Sequence, residues 1–174
     1  MEQRFAIFDM DGTLVDSMMY WHNLGQEYLE SKGVTGDLNE VLERSKPMTM
    51  VESGALFIQE FGLAGTPESA TAEDLVQVCL TRLGVADYFE FLLSCETVGT
   101  GKNRPDVYFA AAERLGAAVE NTVVYEDAWY AVRTAKNAGF RVVAIYDNNS
   151  RARWDEIRAM ADTPIESWTE LLEA

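Results

Sequence analysis

Phe5-Ala6-Ile7-Phe8-Asp9-Met10-Asp11-Gly12-Thr13-Leu14-Val15-Asp16-Ser17 decides how this chain is read. Phe5 to Phe8 form a short unbroken apolar run, the pattern of a strand buried on both faces. Asp9 and Asp11 follow at positions i and i+2, then a Gly-Thr turn. Residues two apart on a strand point to the same side. The two carboxylates are therefore expected to crowd one spot at the strand's C-terminal end, where open α/β sheets bind ligands. Close carboxylates repel unless a cation lies between them or one holds a proton. Asp-x-Asp-Gly also opens calcium loops, but those need further oxygen ligands where this chain has Leu14 and Val15.

The rest of the chain bounds the setting. Its 174 residues suffice for a buried core, and 48% hydrophobic with 25% charged residues is a globular composition. A net charge of −15 argues against nucleic acid or an anionic membrane as partner. It also means that an anionic substrate needs a metal ion or a lysine nearby. A strand starting at Phe5 leaves no room for a signal peptide, and no apolar run reaches bilayer length. Cys79 and Cys95 lack metal-ligand spacing and are expected to be buried free thiols. A cytoplasmic location is the expectation.

Hydrophobic periodicity predicts helices over 17–32, 37–45 and 49–61, with Thr49 and Glu52 as a capping box for the third. Three helices without a strand between them suggest an inserted helical subdomain. From residue 72 the pattern alternates. It predicts helices at 72–83, 105–116, 128–138, 150–161 and 166–172, with strands at Phe89–Cys95, Thr122–Tyr125 and Arg141–Tyr146. Strand-helix-strand alternation implies a parallel, doubly wound α/β sheet.

Other chemistry-bearing residues sit at loop and strand ends. Lys102 lies in Gly99-Thr100-Gly101-Lys102-Asn103-Arg104-Pro105-Asp106, where it could set a compact positive charge beside a phosphate. Glu126 and Asp127 end the strand beginning at Thr122; they would cap the next helix or hold a cation. His22 is the only histidine and reads as a surface or core residue of the first helix.

Taken in this order, FDMDGTLVDS, Lys102-x-x-Pro105-Asp106 and Glu126-Asp127 resemble the haloacid dehalogenase superfamily of phosphatases and phosphomutases. Asn103 stands where that family has a proline after its lysine. The resemblance implies a Rossmann-like core (1–16 and 70–174) with an inserted helical cap (17–69). It implies Asp9 as nucleophile, Asp11 as acid-base and Lys102 as charge stabiliser. It further implies Mg²⁺ on Asp9, the Asp11 backbone carbonyl and Asp127, with Glu126 nearby. Ser69 or Thr71 would be the hydroxyl of the family's second motif. The implied partner is a small phosphorylated metabolite; oligomeric state is not legible.

The activity expected is Mg²⁺-dependent phosphate-monoester hydrolysis. A sugar phosphomutase and a non-catalytic binding protein are the alternatives. Related β-phosphoglucomutases carry a histidine where Trp21 falls here, which weakens the mutase reading. No apolar run precedes Ser69 or Thr71. About one helix and one strand, roughly 30 to 40 residues at usual element lengths, are expected to be missing between Gly62 and Thr71. Trans peptides hold consecutive Cα atoms about 3.8 Å apart, so a longer step there would mark an interruption and normal spacing a true deletion.

Overall fold

The computed structural model describes residues 5–17, 25–26, 29–30, 32–63 and 72–172. The chain divides into two compact units, Met1–Tyr20 with Lys102–Ala174, and Trp21–Gly101. Residues 70–101, assigned to the core by the sequence reading, thus group with the residues of the second unit.

The first unit is built on four parallel strands in the order β1-β2-β3-β4: β1 Phe5–Phe8, β2 Thr122–Glu126, β3 Arg141–Ile145 and β4 Thr163–Ile165. Ala6 lies opposite Val123, and Val124 opposite Val142. Val124, Val142 and Ala144 are fully buried, as expected of a parallel strand covered on both faces. Helices α5 (Asp106–Arg114), α6 (Trp129–Asn137) and α7 (Trp154–Met160) flank the sheet. Helix α6 turns Ala131, Val132 and Ala135 inward, all with no exposed surface. Small and β-branched side chains let that helix lie close to the strands.

The described elements of the second unit are helical. Helices α1 (Asn39–Ser45) and α2 (Met50–Phe61) contribute Val41 and Phe57 to a cluster that also holds Leu29 and Leu38. The capping box forms as expected. Thr49 Oγ1 accepts from the Glu52 amide at 3.1 Å, and the Glu52 carboxylate accepts from the Thr49 amide at 2.8 Å. Gly62 ends the helix in the left-handed conformation. Helices α3 (Ala72–Leu83) and α4 (Cys95–Val98) complete the described part of this unit.

Three sequence expectations are corrected. Phe89–Cys95 is not a strand: residues 89–94 are irregular and Ser94 caps α4. A strand exists only through its neighbours' hydrogen bonds, and β1 pairs only with β2 among the described residues. The segments 148–153 and 168–171 are 3-10 turns rather than α-helix. Strand β4 was not anticipated, since Thr-Pro-Ile is too short to show a period and carries Pro164, which suits only an edge. Cys79 and Cys95 form no disulfide and are half-buried rather than buried. His22, Trp21 and the stretch 64–71, with the spacing test placed on it, lie outside the described residues.

Candidate active site

Strands β1 and β2 run parallel and end side by side, which brings Asp9 to Glu126 and Asp127. The Asp9 amide donates to the Tyr125 carbonyl at 2.9 Å, extending the ladder one residue and fixing where Asp9 leaves the sheet. Beyond it the chain folds back on itself. The amides of Leu14 and Val15 donate to the Met10 carbonyl at 2.8 and 2.9 Å, and Gly12 N–H donates to the Val15 carbonyl at 2.8 Å. Gly12 sits at φ +88°, and a Cβ there would lie 2.7 Å from Asp127 Oδ2. Only glycine meets both conditions. The residue before Lys102 is similarly constrained: a Cβ on Gly101 would lie 2.0 Å from the Pro47 carbonyl oxygen.

Asp9, Glu126 and Asp127 each offer a carboxylate oxygen within 4.8 Å of the others. Lys102 is the counter-charge: its ammonium donates to Asp9 Oδ1, and to Glu126 Oε1 at 2.6 Å. Glu126 has no exposed surface and is held from four directions. Tyr108 OH donates to its Oε1 at 2.9 Å, and the backbone amides of Asp127 and Ala128 donate to its Oε2 at 3.2 and 3.4 Å. Asp127 is buried too and accepts from Thr13 Oγ1 at 3.0 Å. Trp168 Nε1 donates to the Thr13 carbonyl at 3.1 Å, so this turn is held on both sides.

The electrostatics follow from crowding acids where water cannot reach. Burial pushes the Glu126 carboxyl up to about 7; the Asp9 charge adds to this and Lys102 opposes it. Burial likewise raises Asp127 to about 8, reinforced by Glu126 and Asp9 and opposed by Lys102 and the Thr13 hydrogen bond. For Lys102, burial alone would lower the pKa, but the charges of Asp9 and Glu126 outweigh it and hold the ammonium well above its usual range. A divalent cation among these acids would remove the strain of like charges. The donor set is oxygen only and supplies few protein ligands, which suits Mg²⁺.

The structure thus brings together Asp9, Lys102, Glu126 and Asp127. The Asp11 carboxylate is not one of the clustered acids and accepts instead from Ser17 Oγ. The expected crowding of Asp9 and Asp11 side chains does not occur, because the chain leaves the strand at Asp9 and Asp11 already bridges to Val15 in the turn. Ser69 and Thr71 lie outside the described residues. The sequence reading missed Thr13, Tyr108 and Trp168. Tyr108 had one signal: a tyrosine on the buried face of α5, beside Val107, Ala111 and Ala112, needs a partner for its hydroxyl.

Residues 69–139 match the family model described as a haloacid dehalogenase-like hydrolase. Hexitol phosphatase B of Escherichia coli is 26% identical over 208 aligned positions, covering 95% of this chain and 93% of that protein. Fructose-1-phosphate phosphatase of the same organism is 25% identical, covering 83% and 98%. Among solved structures, a hydrolase from Pseudomonas syringae superposes with a TM-score of 0.67 at 20% identity, covering 98% and 97% of the two chains. A β-phosphoglucomutase from Clostridium difficile gives 0.69 at 15%, covering 99% and 96%. The fold is that of this group, and the match over residues 69–139 and the similarity to these phosphatases agree with the resemblance read from FDMDGTLVDS. With 208 aligned positions over 95% of the 174 residues, about 165 of them, at least about 43 positions of hexitol phosphatase B face no residue of this chain.

Proposed function

We propose that this chain hydrolyses the phosphate monoester of a small sugar or sugar alcohol, with Mg²⁺ bound and an aspartyl-phosphate formed on Asp9. The observation that carries the reading is the convergence of Asp9, Lys102 and Asp127 at the paired ends of β1 and β2. The names of the relatives, phosphatases of hexitol and fructose phosphates, support the substrate class.

Asp9 attacks phosphorus, and the bond from phosphorus to the sugar oxygen breaks. Asp11 gives its proton to that departing oxygen. Ser17, donating to Asp11, orients the carboxyl. In the second half Asp11 takes a proton from water, the water oxygen attacks phosphorus, and the bond to Asp9 breaks to free orthophosphate. Lys102 pairs with the negative oxygens of the transferring group throughout. Asp9, Asp127 and the Asp11 backbone carbonyl would hold Mg²⁺, which supplies positive charge beside the phosphoryl group. Glu126 stands with this set, its four hydrogen bonds directing it to Lys102.

The test is phosphate release from a panel of hexose, hexitol and pentose phosphates, with and without a chelator. Release from at least one sugar or hexitol phosphate, abolished by chelator and restored by Mg²⁺, is expected. No release from any ester, or full activity in excess chelator, would contradict the reading.

A further inference from the structure

Lysine side chains are long and flexible, and holding one ammonium at a fixed point costs rotamer entropy. Here the chain supplies a fixed acceptor. Glu126 Oε1 receives Lys102 Nζ at 2.6 Å and Tyr108 OH at 2.9 Å, so one oxygen is shared by two donors. Its other oxygen is taken by two backbone amides. Glu126 therefore cannot turn without losing several hydrogen bonds inside the protein, where an unmade bond is costly. Tyr108 is itself packed on all sides but its hydroxyl's partner. It is 3% exposed, lies on the inner face of α5 and packs against the Phe140 ring at 6.1 Å between centroids.

We infer that Tyr108 is a positioning residue for the reaction: its hydroxyl locks Glu126 so that Glu126 can hold the Lys102 ammonium against Asp9. The inference rests on the phosphatase reading above and assigns a role to a side chain that touches neither substrate nor reacting atoms. It also assigns Glu126 to the lysine and leaves the cation to Asp9 and Asp127. Tyr108 and Lys102 lie six residues apart, at the start of one helix and the loop before it.

The test is a double-mutant cycle on wild type, Tyr108→Phe, Lys102→Met and the double variant. Two quantities are read: turnover of the best ester from the panel, and orthophosphate affinity by calorimetry in Mg²⁺. Calorimetry reports even where turnover is lost. Tyr108→Phe keeps the ring and its packing and removes only the hydroxyl. It should lower kcat about tenfold and weaken orthophosphate about tenfold, with the Mg²⁺ concentration for half-activity unchanged, as for loss of one hydrogen bond to a charged group. In the Lys102→Met background the same change should have no further effect on orthophosphate affinity. Tyr108→Leu, which also removes the ring, separates stability from function: its melting temperature should fall well below that of Tyr108→Phe, while its loss of orthophosphate affinity is similar.

Wild-type kcat and orthophosphate affinity in Tyr108→Phe would overturn the inference. So would equal, additive losses in both backgrounds, since the hydroxyl would then not act through Lys102. A shift in Mg²⁺ requirement would overturn it as well, placing Glu126 with the cation. Failure of the phosphatase reading is distinct: wild type itself would neither turn over an ester nor bind orthophosphate, and the inference would fall with it.

Discussion

The two units of this chain solve different physical problems. In the first, acids are driven together against their own repulsion: Asp9, Glu126 and Asp127 share a space under 4.8 Å, two of them buried. In the second, one described cluster is apolar, with Leu29, Leu38, Val41 and Phe57 packed with Val34, Leu42, Leu56 and Leu63. The first unit sets these acids on an apolar core of its own, with Val124, Val142 and Ile157 fully buried; the second has no such acid cluster among its described residues. Every described residue assigned to the chemistry lies in 1–20 or 102–174. Substitutions in the two units should therefore divide cleanly between activity and stability.

The largest effect is expected from Asp9→Asn, which keeps the shape and removes the attacking anion. Turnover should fall by about 10⁴ or more, as when other nucleophiles are lost, while urea unfolding shows no loss of stability. Near-normal turnover would break the assignment. In the second unit the pattern should invert. Phe57→Ala removes a buried ring from the apolar cluster and should cost about 3 to 5 kcal/mol in urea unfolding. At temperatures where the variant stays folded, its half-saturating Mg²⁺ should match wild type. A changed Mg²⁺ requirement would show that the division between units is wrong.

Acidity sharpens the comparison further. Glu126 and Asp127 have folded-state values of about 7 and about 8, above the ordinary carboxylate range of about 4. The fold thus favours their protonated forms. Their contribution is fully present at acid pH, below the ordinary values, and is lost as pH rises through 7 and 8. In chelator, the melting temperature should fall between pH 6 and pH 9. Mg²⁺ should raise it more at pH 9 than at pH 6, because fewer protons must then be displaced. A melting temperature that rises over this range in chelator would contradict the account.

A smaller change is expected at Trp168, which joins the two kinds of packing. It stacks near Tyr125 and Phe8, at 5.5 and 6.0 Å between centroids, and donates to Thr13 in the catalytic turn. Trp168→Phe keeps most of the stack and loses the donor, so stability should drop by about 1 kcal/mol. Loss of all measurable Mg²⁺ response in this variant would mean that the turn depends on Trp168 far more than one hydrogen bond allows.

How much was legible follows from what each feature depends on. β1 and β2 could be read because strands buried on both faces are written as apolar runs, and the acids at their ends fall where parallel sheets place chemistry. The Thr49–Glu52 cap was legible because it needs only four consecutive residues. Phe89–Cys95 has the same apolar signature as β2, yet it is no strand, because pairing depends on a neighbour elsewhere in the chain. Tyr108 could not be assigned for a similar reason: its partner Glu126 lies 18 positions away. Asp11 illustrates a limit of the period-two rule, which holds only while the chain remains a strand. The expected gap after Gly62 falls on a stretch outside the described residues, and β1 has one ladder partner among the described residues. The expected second-motif hydroxyl, Ser69 or Thr71, lies outside the described residues.

The central claim is that Asp9 carries the phosphoryl group. The direct measurement is acid quenching of wild-type chain during turnover of a phosphorus-32-labelled sugar phosphate in Mg²⁺, followed by proteolysis and mapping of the label. The account predicts label on the peptide containing Asp9, labile to hydroxylamine as an acyl phosphate should be, and none in Asp9→Asn. Steady turnover with no protein-bound label at any quench time, or label on a peptide lacking Asp9, would contradict it.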